Sequence, residues 1–180
     1  MELKQKGENT SINISRPLTV TMTWTTAADF DLAAAYETKA GQPGLVYFGD
    51  PGNRNEFPYI TLSEDKGVGD QAGNNAEVMR IHNLDKMNYV WLFCWDYGMV
   101  KVGQAARFKD SDITLTLADD QNNRVSVALD TGESGNVCCI ATIDNSATGH
   151  AKLSNYSQVG TLHGLKTLEQ LINIVQRLVI

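Results

Sequence analysis

The chain has 180 residues, of which 42% are hydrophobic and 20% are charged, and this balance predicts one globular domain with a core of its own. The net charge of −6, without any run of lysines or arginines, argues against binding to nucleic acid or to an anionic membrane surface. A polar N-terminus and an odd number of cysteines, three, indicate a cytoplasmic protein instead of a secreted one.

Alternating apolar and polar residues predict β-strands along most of the chain. In Leu18–Thr25 the apolar residues alternate with threonines, as in a strand with one buried face. Asn88–Tyr97 is apolar on both faces, as expected of a central strand, and it is too short to cross a bilayer. The other predicted strands are Asp31–Glu37, Gly44–Gly49, Val78–Ile81, Ile113–Leu117, Val125–Leu129, Val137–Ile143 and Ala151–Tyr156. About nine short strands joined by polar turns indicate a mainly β protein, an antiparallel β-sandwich.

The C-terminus breaks this pattern. Between Leu165 and Leu178 the apolar residues recur at spacings of three and four, which predicts an amphipathic helix from Leu162 to about Val179. We interpret this helix as a cover for one face of the sandwich, with docking of a partner as the alternative. No repeat or linker divides the chain, so residues 1–180 are predicted to form a single domain.

The segment ITLSEDKGVGDQAGNNAEVMRI, residues 60–81, gathers acidic side chains around three glycines. Like charges held close together repel, so this arrangement favours a bound cation. Its glycines do not match the dinucleotide or phosphate-binding fingerprints, and no histidine lies at zinc-ligand spacing from a cysteine. Calcium fits, because it takes about six to eight oxygen ligands from carboxylates, amides, backbone carbonyls and water. The oxygen-bearing side chains of the segment are Glu64, Asp65, Asp70, Asn74, Asn75 and Glu77.

A second acidic element lies earlier in the chain. In the stretch ADFDL, Asp29 and Asp31 are two residues apart at the start of a predicted strand, so an extended backbone directs both carboxylates the same way. Either element alone is typical of a solvated acidic surface. The two together, in one antiparallel sheet protein, favour a metal site.

The stretch DFDLAAAYETKAGQPGLVYFGDPGNRNEFPYITLSEDKGVG resembles the tellurite-resistance TerD/TerA family of stress proteins. In that family a D-[FL]-D-L motif precedes a glycine-containing turn, a short strand, a P-Y-I-x-L-like segment and an acidic loop that leads to G-[DE]-x-E. The segments YVWLFCWDYG and GNVCCIATID extend the resemblance, which covers roughly Leu18 to Ser157.

The resemblance implies a calcium-binding β-sandwich that has no enzymatic activity and serves tellurite and other stress responses through protein partners. By position, the family's ligands correspond to Asp29, Asp31, Asp65 and Glu77, with weaker matches at Asp70 and Asp96. The sequence departs from the family where Asn74 and Asn75 stand in place of an Asp-Asp pair. The two lost negative charges count against a second calcium ion, because affinity rises with ligand charge.

We therefore predict a calcium site whose ligands are Asp29, Asp31, Asp65, Asp70, Asn75 and Glu77. One alternative is a metal-dependent hydrolase that uses the same carboxylates, although the sequence offers no visible general base. Another is a calcium-dependent carbohydrate-binding module, which usually needs secretion and exposed aromatic residues. Cys138, Cys139 and the aromatic residues around Trp91 are interpreted as core.

Overall fold

The computed structural model describes residues 1–26, 28–63, 75–102, 104, 108, 111–147 and 150–161. Within these residues the backbone forms thirteen β-strands and one short α-helix. In chain order the strands are β1 (Glu2–Leu3), β2 (Asn9–Ile12), β3 (Leu18–Trp24), β4 (Phe30–Thr38), β5 (Pro43–Val46), β6 (Gly52–Asn53), β7 (Ile60–Leu62), β8 (Asn75–Ile81), β9 (Met87–Asp96), β10 (Thr114–Ala118), β11 (Arg124–Ala128), β12 (Val137–Asp144) and β13 (Ala151–Gly160). The helix α1 (Tyr97–Val102) follows β9 directly.

The strands form two sheets. Sheet A has the strand order β1-β11-β10-β3-β8-β7-β6, and sheet B has the order β2-β13-β12-β9-β4-β5. The paired strands are antiparallel in both sheets, except that β1 runs parallel to β11. The prediction of a mainly β, mostly antiparallel protein is confirmed.

One hydrophobic core is shared by the two sheets. Val20 and Met22 of β3, in sheet A, belong to the same buried cluster as Leu92 of β9 and Ile140 of β12, in sheet B. In β3 the apolar residues are the buried ones and the threonines between them are partly or fully exposed, which is the alternation that predicted the strand. The sheets therefore pack through inward faces, as in a β-sandwich.

Sheet B is also buried on its other side. A second cluster, here called the outer aromatic cluster, consists of Ala33, Ala35, Leu45, Trp91, Phe93, Trp95, Val100, Val137 and Cys139. Strand β9 contributes to both clusters, so its sequence is apolar on both faces, as the pattern predicted. Cys138 and Cys139 are buried on opposite faces of β12, and burial raises the pKa of both thiols, which confirms their interpretation as core.

The structure adds elements that the hydrophobic pattern did not predict. Strands β1 and β2 come from the polar N-terminus and lie at the edges of sheets A and B, and with two and four residues they are too short to show a clear apolar alternation. Strand β8 begins at Asn75, three residues before the predicted start at Val78, and α1 was not predicted. The predicted C-terminal helix lies outside the described residues. No helix in the described part of the chain has the length and apolar character needed to span a membrane.

A buried amide ties the two sheets together. The Asn155 side chain of β13, in sheet B, is 1% exposed. Its Nδ2 donates hydrogen bonds to the carbonyl of Leu3 in β1, at 3.0 Å, and to that of Ala128 in β11, at 2.8 Å, both in sheet A. The hydroxyl of Ser157 donates to Asn155 Oδ1 at 2.5 Å. Both ends of the amide are therefore satisfied, as burial of a polar side chain requires.

Replacing Asn155 with alanine should lower the free energy of unfolding by about 2 kcal/mol or more, because two backbone carbonyls lose a buried donor. Denaturant unfolding of both proteins measures this difference. Asn55→Ala is the matched control, since Asn55 is exposed and its loss should change stability by less than about 0.5 kcal/mol. Equal effects of the two substitutions would show that Asn155 does not hold the sheets together.

Candidate functional site

The candidate site lies at the start of strand β4, where the neighbouring strand β5 does not pair with it. Strand β5 pairs with β4 only from Ala34 to Glu37, so the first residues of β4 extend beyond it. The backbone N–H of Leu32 donates to Oε2 of Glu77 at 2.5 Å. Glu77 comes from β8 of sheet A, where it occupies a buried position two residues before Met79. A carboxylate from one sheet thus takes the place of a strand partner in the other.

Asp31 approaches the same edge from the opposite face of sheet B. It is the residue before Leu32, it lies directly across from Trp95 of β9, and its Oδ2 accepts a hydrogen bond from the Trp95 indole at 3.2 Å. Asp31 and Glu77 are both buried. Burial raises the pKa of the Cys94 thiol on the neighbouring strand β9, and Cys138, Glu77, Cys139 and Asp31 raise it further.

Asn75 lies at the start of β8, beside an open cleft of about 520 Å³. It is buried and lies opposite Trp24 of β3. The other polar residues of the cleft come from β3, from β10 and from the segments that adjoin them. They are Thr23, Thr25, Asp112 and Thr114.

Asp112 is a residue of this cleft that the sequence did not suggest. Its carboxylate accepts hydrogen bonds from the backbone N–H of Thr25, at 2.8 Å, and from that of Thr26, at 3.3 Å. The hydroxyls of both threonines donate to it as well. Burial acts to raise the pKa of Asp112, but these hydrogen bonds outweigh it and lower the pKa to about 2. No sequence signal could have found this contact, because its partners lie more than eighty residues away.

Of the other acidic residues that match the family pattern, the structure describes Asp29 and Asp96. Asp29 precedes β4 and is partly exposed. Asp96 ends β9 and directly precedes α1: its Oδ1 accepts a hydrogen bond from the N–H of Met99 at 3.2 Å, and burial raises its pKa. Asp65 and Asp70 lie outside the described residues. Among the residues that are described, no three histidine, cysteine, aspartate or glutamate side chains stand together as ligands for one ion.

Comparison with known proteins identifies the fold. No model of a known protein family matches the sequence, and no curated protein matches it. Among solved structures, a homologue of telluride resistance protein (TerD), SCO6318 from Streptomyces coelicolor A3(2), matches with a TM-score of 0.51 at 14% identity, over 87% of this chain and 94% of that one. The chain has a TerD-like fold.

A second solved structure, the unknown function protein SAV2460, gives the same TM-score of 0.51 at 15% identity, over 82% of this chain and 93% of its own. At these identities the likeness concerns the fold alone. The resemblance carried by the sequence motifs is thus confirmed at the level of the TerD-like fold, which spans most of the chain.

The contribution of Asp112 to stability should depend on pH. Its pKa is about 2 in the folded protein and 3.8 ordinarily, so the folded state favours the ionised form. Its contribution is therefore complete above the ordinary pKa and is lost as pH falls through the folded one. The free energy of unfolding of wild type should exceed that of Asp112→Asn near neutrality. This difference should shrink below about pH 4 and disappear only below about pH 2.

Denaturant unfolding of both proteins across this pH range measures the difference. Because every other carboxylate is shared by the two proteins, the comparison isolates Asp112. A difference that stays constant down to pH 2 would contradict the assignment of the hydrogen bonds to the ionised carboxylate.

Proposed function

We propose that the protein is a calcium-binding module without enzymatic activity, which works through protein partners in a stress response. The observation that carries this proposal is the hydrogen bond that Glu77 accepts from the backbone beside Asp31. These two predicted ligands are far apart in sequence, yet Glu77 bonds to the backbone of the residue that follows Asp31. The TerD-like fold supports the proposal in general terms, since a homologue of telluride resistance protein (TerD) shares it.

The donor set at this edge fits calcium. It consists of carboxylate oxygens from Asp31 and Glu77, with the amide oxygen of Asn75 and the carboxylate of Asp29 nearby in the chain, and calcium prefers oxygen ligands of this kind. Burying a carboxylate disfavours its charged form, and a divalent cation bound by both residues would offset that cost. Asp65 and Asp70, which belong to the segment joined to β8, would complete the coordination of the ion.

Phe48 is an exposed aromatic residue next to this edge, and we propose that a protein partner covers it. The ring of Phe48 is 50% exposed and packs against Trp95, with 6.1 Å between the ring centroids. Trp95 in turn bonds to Asp31. A partner that covers Phe48 would therefore contact a ring that packs on Trp95, and Trp95 donates a hydrogen bond to the proposed ligand Asp31.

We also propose that residues 162–179 form the amphipathic helix that their apolar spacing predicts, and that this helix covers sheet B. The outer aromatic cluster supports the proposal, because it is an apolar sheet face that must be shielded from water. Strand β13, which belongs to sheet B, ends at Gly160, so the segment begins beside that sheet.

Calcium should bind the purified protein, and Asp31→Asn and Glu77→Gln should each weaken binding about tenfold or more, because each removes one charge from the proposed ligand set. Calorimetric titration of chelator-treated protein measures the dissociation constants. The control is Asp120→Asn, which removes the same charge from an exposed residue that pairs with Arg16 at 3.0 Å. At a hundredfold excess over its dissociation constant, calcium should stabilise wild type by about 2.7 kcal/mol.

Unchanged affinity in both acidic variants would contradict the ligand assignment. The same preparations should leave phosphate esters and glycosides intact with calcium, magnesium or manganese. Metal-dependent turnover that Asp31→Asn abolishes would overturn the non-enzymatic proposal in favour of a hydrolase.

Leu171→Asp should lower the free energy of unfolding by at least about 2 kcal/mol, because it places a charge on the apolar stripe of the proposed helix. Gln170→Asp adds the same charge beside that stripe and should have little effect. Thermal unfolding followed by circular dichroism compares the two variants. Equal stability of both would show that the segment does not cover an apolar face.

A further inference from the structure

We infer that Asp112 is a positioning residue for the proposed calcium site, because it holds the bend from which the chain enters β4. This inference rests on the calcium site proposed above. Asp112 lies just before β10 in sheet A, and the bend at Thr25 and Thr26 connects β3 of sheet A to β4 of sheet B. The bend therefore decides from which direction Asp29 and Asp31 arrive.

The bend is held from two sides. On one side, Asp112 accepts four hydrogen bonds from Thr25 and Thr26, two from backbone N–H groups and two from hydroxyls. On the other, the indole of Trp24 donates to the carbonyl of Ala28 at 2.9 Å, and the N–H of Ala28 donates to the carbonyl of Thr26 at 2.9 Å. Trp24 is itself buried in the core. The start of β4 is thus fixed relative to both β10 and the core.

The same contacts place the bend next to Asn75. Asp112, Thr25 and Asn75 line one cleft, and Asn75 pairs with Trp24, the residue just before the bend. One anchored segment therefore sets the positions of proposed ligands on β4 and on β8. Residues that orient metal ligands in this way commonly change metal affinity when they are replaced.

The hydrogen bonds also indicate whether Asp112 anchors the bend or coordinates calcium directly. Both oxygens of the carboxylate bond to the bend: Oδ1 accepts from both backbone N–H groups and from the Thr26 hydroxyl, and Oδ2 accepts from the Thr25 hydroxyl. Asp112 acts through the bend and not as a ligand. Removing a single hydroxyl from the bend should then weaken calcium binding even though the charge of Asp112 remains.

Calorimetric calcium titration of the full chain tests this inference with Thr25→Val and Asp112→Asn. Thr25→Val keeps the shape and the charge but loses one hydroxyl, and it should raise the dissociation constant about fivefold, the effect of one hydrogen bond. Asp112→Asn disturbs all four bonds and should raise the dissociation constant about tenfold or more. Thr25→Ser retains the hydroxyl and should bind as wild type does.

Asp119→Asn is the matched control. The Asp119 carboxylate also holds a turn, accepting hydrogen bonds from the N–H groups of Gln121 and Asn123, but this turn is the one between β10 and β11. The variant should lose stability and keep its calcium affinity within about twofold of wild type.

Three outcomes would contradict the inference or the function on which it rests. Normal binding by Thr25→Val with weak binding by Asp112→Asn would mean that Asp112 acts through its charge, which overturns the inference. Equal losses in Asp112→Asn and Asp119→Asn would point to general destabilisation and would overturn it too. Wild type that binds no calcium would instead refute the proposed function on which the inference rests.

Discussion

Strand β9 is buried on both of its faces, and this constraint governs how the strands around it are arranged. Its inward side chains join the core that the two sheets share, while its outward side chains Trp91, Phe93 and Trp95 belong to the outer aromatic cluster. A strand of this kind has to lie inside its sheet, and β9 is flanked by β4 and β12. Both faces of sheet B must therefore be shielded from water, whereas sheet A has to be shielded only on the face that packs against sheet B.

The candidate site follows from this arrangement. Because both faces of sheet B are buried, Asp31 cannot turn towards bulk water even though it lies on the face opposite the shared core. Glu77 reaches the same edge of β4 from the core side, where β5 no longer pairs. Burying two carboxylates costs free energy unless hydrogen bonds and a counter-charge offset it. The Leu32 N–H and the Trp95 indole supply hydrogen bonds, and calcium is the counter-charge that we propose.

Hydrogen bonds from polar side chains connect the two sheets and anchor the chain where it passes between them. Asn155 links β13 to β1 and β11, and Asp112 fastens the bend that carries the chain from sheet A to sheet B. Apolar packing fixes the separation of two sheets, but it has no preferred direction along them. Hydrogen bonds do have direction, so a few of them at strand ends are enough to fix where β4 begins and how Asp29 and Asp31 are presented.

The sequence by itself determined the longer strands, because burial on one face leaves an alternation that is visible in β3, and burial on both faces leaves the apolar run of β9. It also indicated the TerD-like fold, since each motif is a short stretch of sequence and the order of the motifs can be read directly from the chain. Edge strands such as β1 escaped it, because two residues are too few to show an alternation. Only the tertiary structure decided that Glu77 meets β4 and that Asp112 meets Thr25, since each contact joins residues far apart in the chain. Hydrogen bonds between distant residues depend on how strands are ordered in sheets, and that order is fixed by packing of the whole molecule.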